Sequence, residues 1–263
     1  MNNELMIRQG FFWGTLVIVG IWELLWPKRQ LSVSKTVRWY SNLGIILLDS
    51  LLIRWLFPLL AVGMAALAVE KQWGLLNNID IPYELAVVLS VIVLDMIIYL
   101  QHLMFHAVPR LWLLHRMHHS DRDYDVTTGL RFHPIEIAMS MVIKLAAVVA
   151  IGPPVMAVLI FEVVLNASAM FNHGNIRLPA GVDRILRLFI VTPDMHRVHH
   201  SEIKSETDSN YGFFLSWWDL LYGTYTAQPQ EGHEGMTIGI ELFKNPIYSH
   251  LHWMLIQPFI NRK

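Results

Sequence analysis

Histidine is the residue type whose spacing points to chemistry in this chain. All 13 histidines follow position 101. Eight of them form one HxxxH pair and two HxxHH groups, namely His102 and His106; His115, His118 and His119; and His196, His199 and His200. Positions i, i+3 and i+4 share one face of a helix, so each group directs its imidazoles to one side. Neutral imidazole, with an ordinary pKa of about 6.5, binds iron, zinc, copper or nickel. The pattern predicts a centre for two metal ions.

Other histidines stand outside these groups. His173, in the sequence FNHGN, follows the last long apolar run and is predicted to be a ninth ligand. His133, in RFHP, is a candidate tenth ligand, with a hydrogen bond to nearby backbone as the alternative. His233, His250 and His252 fit no pattern and are predicted to be bystanders.

Several polar residues are placed to support such a centre. Asp95 and Tyr99 share a helical face with His102 and His106. A carboxylate within a span is costly, so Asp95 is predicted to orient a ligating imidazole, with an aspartate solvated near the interface as the alternative. Further candidates for this supporting role are Asn172, Glu136, Glu162, Asp194 and Asp219. Arg116 and Arg197 are expected to meet phosphate headgroups or ion-pair partners, and no catalytic residue beyond the metal ligands is predicted.

The composition is that of a membrane protein. Hydrophobic residues make up 54% and charged residues 16% of the chain, whereas soluble domains are roughly a quarter charged. A net charge of -1 offers no surface for nucleic acid. Cysteine is absent, which excludes disulfides, iron-sulfur clusters and thiolate zinc sites. Any metal ligand is therefore nitrogen or oxygen.

Apolar runs indicate a polytopic all-α bundle with four or five spans. The runs cover residues 10–26, 43–69, 85–101, 135–151 and 155–170. Gly152, Pro153 and Pro154 predict a turn between the last two, which form either a membrane-crossing or a re-entrant hairpin.

Loop charge predicts the orientation of the bundle. Residues 27–42 carry four basic residues and no acidic one, which is typical of a cytoplasmic loop and would place the histidines in a cytosolic cap. The predicted regions are N-terminal spans (1–84), a dimetal domain (85–226) and an interfacial tail (227–263).

The order HLMFH, HRMHH and HRVHH, with RFHP and FNHGN between the last two, resembles the fatty acid hydroxylase superfamily, and bacterial sterol desaturase family proteins in particular. The likeness covers roughly residues 85–226. It implies a non-haem diiron centre, with zinc able to replace iron in purified protein, and O2 as co-substrate. It also implies a lipid or sterol-like substrate and a separate electron donor, such as a ferredoxin, cytochrome or reductase. The eight patterned histidines, with His173 next, match the family's ligands. The fatty acid 2-hydroxylase branch has a further histidine where this chain has Ala169.

These features predict an O2-dependent oxidoreductase that hydroxylates or desaturates a lipid, in the bacterial inner membrane. Trp217, Trp218 and Tyr222 are expected either to line a lipid entrance or to form an aromatic belt. Two alternatives stay open: a zinc transporter or sensor, and a zinc-dependent lipid hydrolase. A transporter needs ionisable groups at mid-depth in several spans, and Asp95, Lys144 and Glu162 form no evident track.

Overall fold

A computed structural model describes residues 2–260, with the side chains of residues 2 and 3 left out of the description. Within this range the backbone is helical, and β-structure is confined to three isolated bridges. In chain order the α-helices are α1 (Asn2–Leu25), α2 (Lys35–Leu56), α3 (Ala61–Glu70), α4 (Tyr83–Ala107), α5 (Pro109–His119), α6 (Pro134–Ile151), α7 (Val155–Asn172), α8 (Ala180–Leu186), α9 (Pro193–His199), α10 (Lys204–Thr207), α11 (Trp217–Tyr222), α12 (Gly232–Gly235) and α13 (Leu251–Ile256).

Five segments of the described chain are helical, long and apolar enough to cross a membrane. They are Glu4–Leu25, Lys35–Asn78 (which contains α2 and α3), Tyr83–Ala107, Pro134–Ile151 and Val155–Asn172. In a bilayer a helix satisfies its backbone hydrogen bonds internally, which is why such runs become helices. The prediction of an all-α membrane bundle is confirmed, and each predicted apolar run lies in one of these segments except for Trp26, which follows the end of the first.

One face of the bundle carries the cap. The segments that follow α1 and α7 meet there, where the Lys28 amide donates to the Asn175 carbonyl at 3.0 Å. The start of α2 joins the same face, because Arg38 binds Asp121 just beyond α5. Helix α4 runs directly into α5, with Val108 between them. The histidine-rich segments therefore share a face with the basic 27–42 loop.

The opposite face contains the predicted hairpin turn. Helix α6 ends at Ile151, α7 begins at Val155, and Gly152 adopts a left-handed conformation with φ 66°. Gly74, with φ 88°, packs so closely against this turn that an added Cβ would lie 2.2 Å from the Gly152 nitrogen. Two glycines thus fix the connection after α3 against the α6–α7 hairpin.

The apolar core lies at the centre of the bundle. Its buried residues come from α3, α4, α6 and α7, and include Ala61, Ala65, Leu94, Ile98, Ala147, Val148, Val158 and Phe161. Small residues on α3 allow close helix packing. Many large apolar side chains on the outer faces are exposed, among them Val17, Leu47, Leu51, Val88 and Val142, as expected of surfaces that meet lipid.

Candidate metal centre

Three helices bring the eight patterned histidines together, and a fourth, α7, places His173 beside them. Helix α4 supplies the HxxxH pair in its last two turns, and α5 and α9 supply the HxxHH groups. Pro109 starts α5, and Pro193 starts α9 directly after Thr192. The Thr192 hydroxyl caps α9 by accepting from the Met195 amide at 3.3 Å. His173 directly follows the last residue of α7.

The nine histidines form two adjacent groups. The five-histidine group contains His102, His106, His115, His119 and His199, and the four-histidine group contains His118, His173, His196 and His200. Within each group, one nitrogen from every ring lies within 4.8 Å of the others. The rings of His119 and His200 stack between the groups with centroids 4.6 Å apart. The structure thus brings together the eight patterned histidines and His173.

The two HxxHH motifs are shared reciprocally between the groups. On α5, His115 and His119 join the five-histidine group while His118 joins the other. On α9 the division is reversed, since His196 and His200 join the four-histidine group. On a helix, the side chains at positions i and i+4 point in nearly the same direction, whereas the side chain at i+3 points in a different direction around the helix axis. Each motif can therefore serve two neighbouring ions.

Hydrogen bonds fix which ring nitrogen is protonated. The Nδ1 atoms of six histidines lie on oxygen acceptors: His102 on the Tyr211 carbonyl (2.8 Å), His106 on Asp208 (3.3 Å), His115 on Glu136 (2.7 Å), His118 on the Arg131 carbonyl (3.1 Å), His173 on the Ala169 carbonyl (2.7 Å) and His199 on the Ser209 carbonyl (2.6 Å). A carbonyl or carboxylate oxygen only accepts, so in a neutral ring Nδ1 carries the proton. Each Nε2 then presents a lone pair.

Those lone pairs point at one another. The Nε2 atom of His102 lies 3.1 Å from Nε2 of both His115 and His199. The Nε2 atom of His173 lies 3.2 Å from that of His118 and 3.1 Å from that of His200. Two acceptors at this distance repel unless a cation lies between them. Nitrogens bound about 2.1 Å from one ion and at right angles to each other are about 3.0 Å apart. The distances between these Nε2 atoms therefore fit nitrogens that bind a shared metal ion.

Burial keeps these rings neutral. Together with the neighbouring histidines, burial lowers the pKa of His118, His119, His196, His199 and His200 well below the ordinary value. Burial also lowers the pKa of His173, to about 4. Neutral imidazole is the form that binds metal. These six rings are thus in their ligating form at neutral pH.

Of the polar residues predicted to support the centre, Glu136 contacts a clustered histidine directly, because its carboxylate lies 2.7 Å from Nδ1 of His115. Asp95 instead accepts from the Trp218 indole at 2.8 Å and the Leu215 amide at 3.1 Å. The prediction that Asp95 orients an imidazole is therefore wrong, because residues distant in sequence occupy its carboxylate. Asp219 likewise accepts from the Tyr211 and Gly212 amides at 2.8 and 2.9 Å.

The other predicted supports also have partners outside the rings. Tyr99 shares a 2.8 Å hydrogen bond with Thr224, and the Asn172 side chain donates to the Phe213 carbonyl. Asp194 binds Lys28 at 2.7 Å and also pairs with Arg197. Glu162 pairs with Lys144 and Arg8. Arg116, expected to meet phosphate headgroups or an ion-pair partner, is buried and donates to the Gln257 carbonyl at 2.7 Å. These residues hold segments around the centre rather than ring nitrogens.

His133 lies outside both groups. Its Nδ1 accepts from the Ile135 amide at 3.2 Å and caps α6, while Nε2 faces the Leu255 carbonyl at 3.1 Å. Both ring nitrogens are used by backbone, which is the alternative that the sequence left open. The structure therefore does not bring a tenth histidine to the centre.

Three residues next to the histidines belong to none of the spaced histidine motifs. Tyr124 donates to the Asn172 carbonyl at 2.6 Å, and its ring centroid lies 5.1 Å from that of His200. Asp208 holds His106 from a loop about a hundred residues later in the chain. Gly129 packs against α7 so closely that a Cβ would lie 2.5 Å from the Ala169 carbonyl oxygen. None belongs to a spaced motif, so only the fold shows their proximity.

The geometry agrees with comparisons to known proteins. The family model "Fatty acid hydroxylase" matches residues 87–224, which contain all nine clustered histidines. The chain belongs to the fatty acid hydroxylase family. No solved structure matches the chain significantly.

Curated relatives within this family have related names. An ornithine lipid hydroxylase of Rhizobium tropici is 26% identical over 82% of this chain and 66% of its own length. The alkylglycerol monooxygenase of Homo sapiens is 31% identical over 57% of this chain and 33% of its own length. A very-long-chain aldehyde decarbonylase of Oryza sativa subsp. indica is 30% identical over 59% of this chain and 26% of its own length. The aligned part is thus less than two thirds of each relative.

Proposed function

We propose that the protein is a membrane-bound diiron oxygenase that hydroxylates or desaturates a lipid, using O2 and electrons from a separate donor protein. The observation that carries this proposal is the convergence of nine buried imidazoles into two adjacent groups beside an apolar bundle. Membership of the fatty acid hydroxylase family supports it. The names of the relatives support a lipid as the substrate class.

The two groups would hold one ion each. The five-histidine and four-histidine groups offer only nitrogen ligands, which suit iron, copper or zinc, so the ligand type does not choose the metal. When bound, two iron ions supply O2-dependent oxidation of an unactivated C–H bond. Glu136, on the Nδ1 of His115, keeps that ring in the ligating tautomer and fixes its orientation.

Apolar side chains would shield the centre and position the lipid. The Phe132 ring stacks on His118 at 4.5 Å, and the Phe213 ring lies 5.1 Å from His102. Phe213 also packs against the core formed by α3, α4, α6 and α7. A lipid chain entering from the bilayer would meet these rings before the histidines. Their role is to exclude water and orient the chain.

The orientation of the centre follows from loop charge. The basic 27–42 segment contacts the cap, where Lys28 binds Asp194 at 2.7 Å and Arg29 donates to the Met236 carbonyl at 2.7 Å. The positive-inside rule assigns such segments to the cytoplasm. We therefore infer that the histidine centre faces the cytoplasm, in the inner membrane of a bacterium, where a soluble electron donor can reach it.

The structure gives less support to the alternative functions. A transporter needs available ionisable groups along a path, but Lys144 and Arg8 bind Glu162 at 3.1 and 3.0 Å. Asp95 is likewise engaged by Trp218. A zinc hydrolase needs a group that accepts or donates the protons of a metal-activated water, and one carboxylate oxygen of Glu136 already binds the His115 ring.

The test is turnover of lipid by anaerobically purified, iron-loaded protein. The sample receives bacterial lipid extract, a reduced ferredoxin with its reductase, and isotopically labelled O2, and products are analysed by mass spectrometry. The proposal expects a lipid that gains a labelled oxygen atom or loses two hydrogen atoms. His119→Ala, which removes a ring of the five-histidine group, serves as the inactive control. Bound metal with unchanged lipid under O2, or lipid cleaved equally without O2, would overturn the proposal.

A further inference from the structure

A set of large apolar side chains is exposed on the cap, outside the five apolar segments. We call it the α8–α11 platform, and it consists of Val182, Ile185, Leu188, Phe189, Leu220 and Leu221. Ile185 is 62% and Leu221 70% exposed. Soluble surfaces rarely leave such a patch open, so it indicates a contact with a partner or a membrane.

The two halves of the platform form one unit. The Trp217 indole on α11 donates to the Leu188 carbonyl at 2.8 Å, and the Ser216 hydroxyl donates to the Arg187 carbonyl at 2.8 Å. The Val191 amide donates to the Phe214 carbonyl at 2.9 Å. These bonds hold α8, the turn after it and α11 together, so their exposed side chains belong to one surface.

The platform packs against the middle of a membrane span. Trp218 of α11 donates to Asp95 of α4 at 2.8 Å, and the Tyr222 ring stacks on Tyr99 with centroids 5.4 Å apart. Helix α4 runs from Tyr83 to Ala107, so Asp95 has twelve residues on either side of it. At 1.5 Å per residue it lies about 18 Å from each end.

This position sets the depth of the platform. A hydrocarbon core of about 30 Å takes up about 20 residues of helix. If the core starts at Tyr83, it extends along α4 to about Leu103, beyond the contacts of α11 at Asp95 and Tyr99. Asp95 and Tyr99 then lie about 12 and 6 Å inside the boundary at Leu103. Helix α11 thus contacts α4 within the outer part of the hydrocarbon region on the cap side, next to the lipid-facing surface of α4. A soluble partner would have to displace lipid to cover the platform.

The side chains around the platform match an interfacial position. Trp217 and Tyr222 are both exposed, and tryptophan and tyrosine are enriched at membrane interfaces. Arg184, exposed on α8 between Val182 and Ile185, adds a positive charge suited to lipid phosphate.

We propose that the α8–α11 platform is a membrane-docking surface that inserts its apolar side chains into the headgroup and acyl boundary of the leaflet on the cap side. The chain would thus contact the bilayer through a monotopic element in addition to its five spans. The occupant is lipid, because the surface continues the lipid-facing side of α4 at the same depth. The proposal does not depend on the oxidase function or on bound metal.

The absence of cysteine makes the test direct, since one introduced cysteine gives one labelled position. Ile185→Cys and Leu221→Cys report on the platform. Val142→Cys, exposed on α6, is the membrane reference, and Ser205→Cys, exposed on α10, is the aqueous reference. Each full-length variant carries an environment-sensitive fluorophore in lipid nanodiscs. Brominated lipid and aqueous iodide are used as quenchers. Phe189→Cys supplies a third platform position if one label disturbs folding.

Labels on the platform should be quenched by lipid brominated near the headgroup. They should also resist iodide, as the membrane reference Val142→Cys does. The aqueous reference Ser205→Cys should be quenched by iodide and not by brominated lipid. Iodide quenching of the platform labels to the level of the aqueous reference would show an open surface and overturn the proposal. Protection from both quenchers would show cover by protein, such as a second copy of the chain, and would also overturn it.

Discussion

At the scale of single residues, the centre depends on the Nδ1 side of six of its nine rings, where oxygen acceptors bind. Carbonyls of Tyr211, Arg131 and Ser209 and the Glu136 carboxylate hold Nδ1 atoms, and this leaves Nε2 free to bind metal. Spacing predicted the histidines because i, i+3 and i+4 geometry is local. It could not predict the backbone acceptors, which come from distant loops and carry no side-chain signature. For the same reason it missed the Trp218 partner of Asp95.

Replacing the carboxylate on His115 should weaken metal binding. Glu136→Gln keeps a hydrogen-bond acceptor but loses the negative charge that lies 2.7 Å from the ring and favours a bound cation. We expect metal affinity to fall about 10- to 100-fold, measured by chelator competition. Glu84→Gln, at an exposed carboxylate in the first turn of α4, is the matched control and should bind metal normally. Equal affinities for the two variants would argue against the role of Glu136.

His133 should affect stability and not metal content. His133→Ala removes the acceptor for the Ile135 amide at the start of α6, which costs about 1 kcal/mol, whereas His133→Asn can keep the cap. Both variants should bind as much metal as the wild type, measured by elemental analysis alongside thermal unfolding. Metal loss in the folded His133→Asn protein would show that His133 is a ligand after all.

At the scale of elements, a buried charge network joins α2 to the segment after α5. Arg38 binds Asp121 at 2.7 Å and Asp125 at 2.6 Å, with all three side chains buried. Burial alone would raise the pKa of Asp121, but the Arg38 guanidinium lowers it to about 2. The contribution of this carboxylate to stability is therefore full above its ordinary pKa of about 4 and is lost as the pH falls towards 2.

Removing Arg38 should strongly destabilise the folded protein. Arg38→Met leaves two buried carboxylates without their cation, and we expect a loss of about 3–5 kcal/mol in the free energy of unfolding. The exposed Arg177–Glu234 pair, at 2.9 Å, provides the comparison. Arg177→Met should cost about 1 kcal/mol or less. Denaturant unfolding in detergent measures both variants. Equal losses in the free energy of unfolding would contradict the conclusion that the buried Arg38 network stabilises the protein more than an exposed ion pair does.

The turn on the opposite face should be intolerant of a side chain. In Gly74→Ala the new Cβ would collide with the Gly152 backbone at a positive φ, whereas in Gly10→Ala on α1 it would meet nothing within 4 Å. We expect Gly74→Ala to lower the thermal midpoint and Gly10→Ala to leave it unchanged or raise it. The folded fraction of Gly74→Ala should keep its metal, because the turn lies on the face away from the histidines.

The sequence located the hairpin turn because Gly152, Pro153 and Pro154 interrupt an apolar run. It did not show the contact between Gly74 and Gly152, which joins segments 78 residues apart. Nor did it resolve α8 and α11, of seven and six residues, which are too short for a periodic pattern. The position of α11 is set by contacts with α4, and that of α8 by hydrogen bonds between the turn after it and the start of α11.

At the scale of the whole molecule, the spans were predictable and the arrangement of the cap was not. A membrane helix satisfies its own backbone, so hydropathy alone predicts it. The cap is built from short helices and loops whose hydrogen bonds cross large sequence distances, such as that between His106 and Asp208. The bundle holds α4 and α7, the cap holds α5 and α9, and the histidine groups form where they meet.

The most direct test of this account is the number of iron ions bound per chain after anaerobic loading, determined by elemental analysis of the purified protein. We expect two in the wild type, one for each histidine group, and fewer in His199→Ala and His173→Ala, which each remove a ring from a different group. A wild-type value of one or zero, or two ions retained in both variants, would contradict the account.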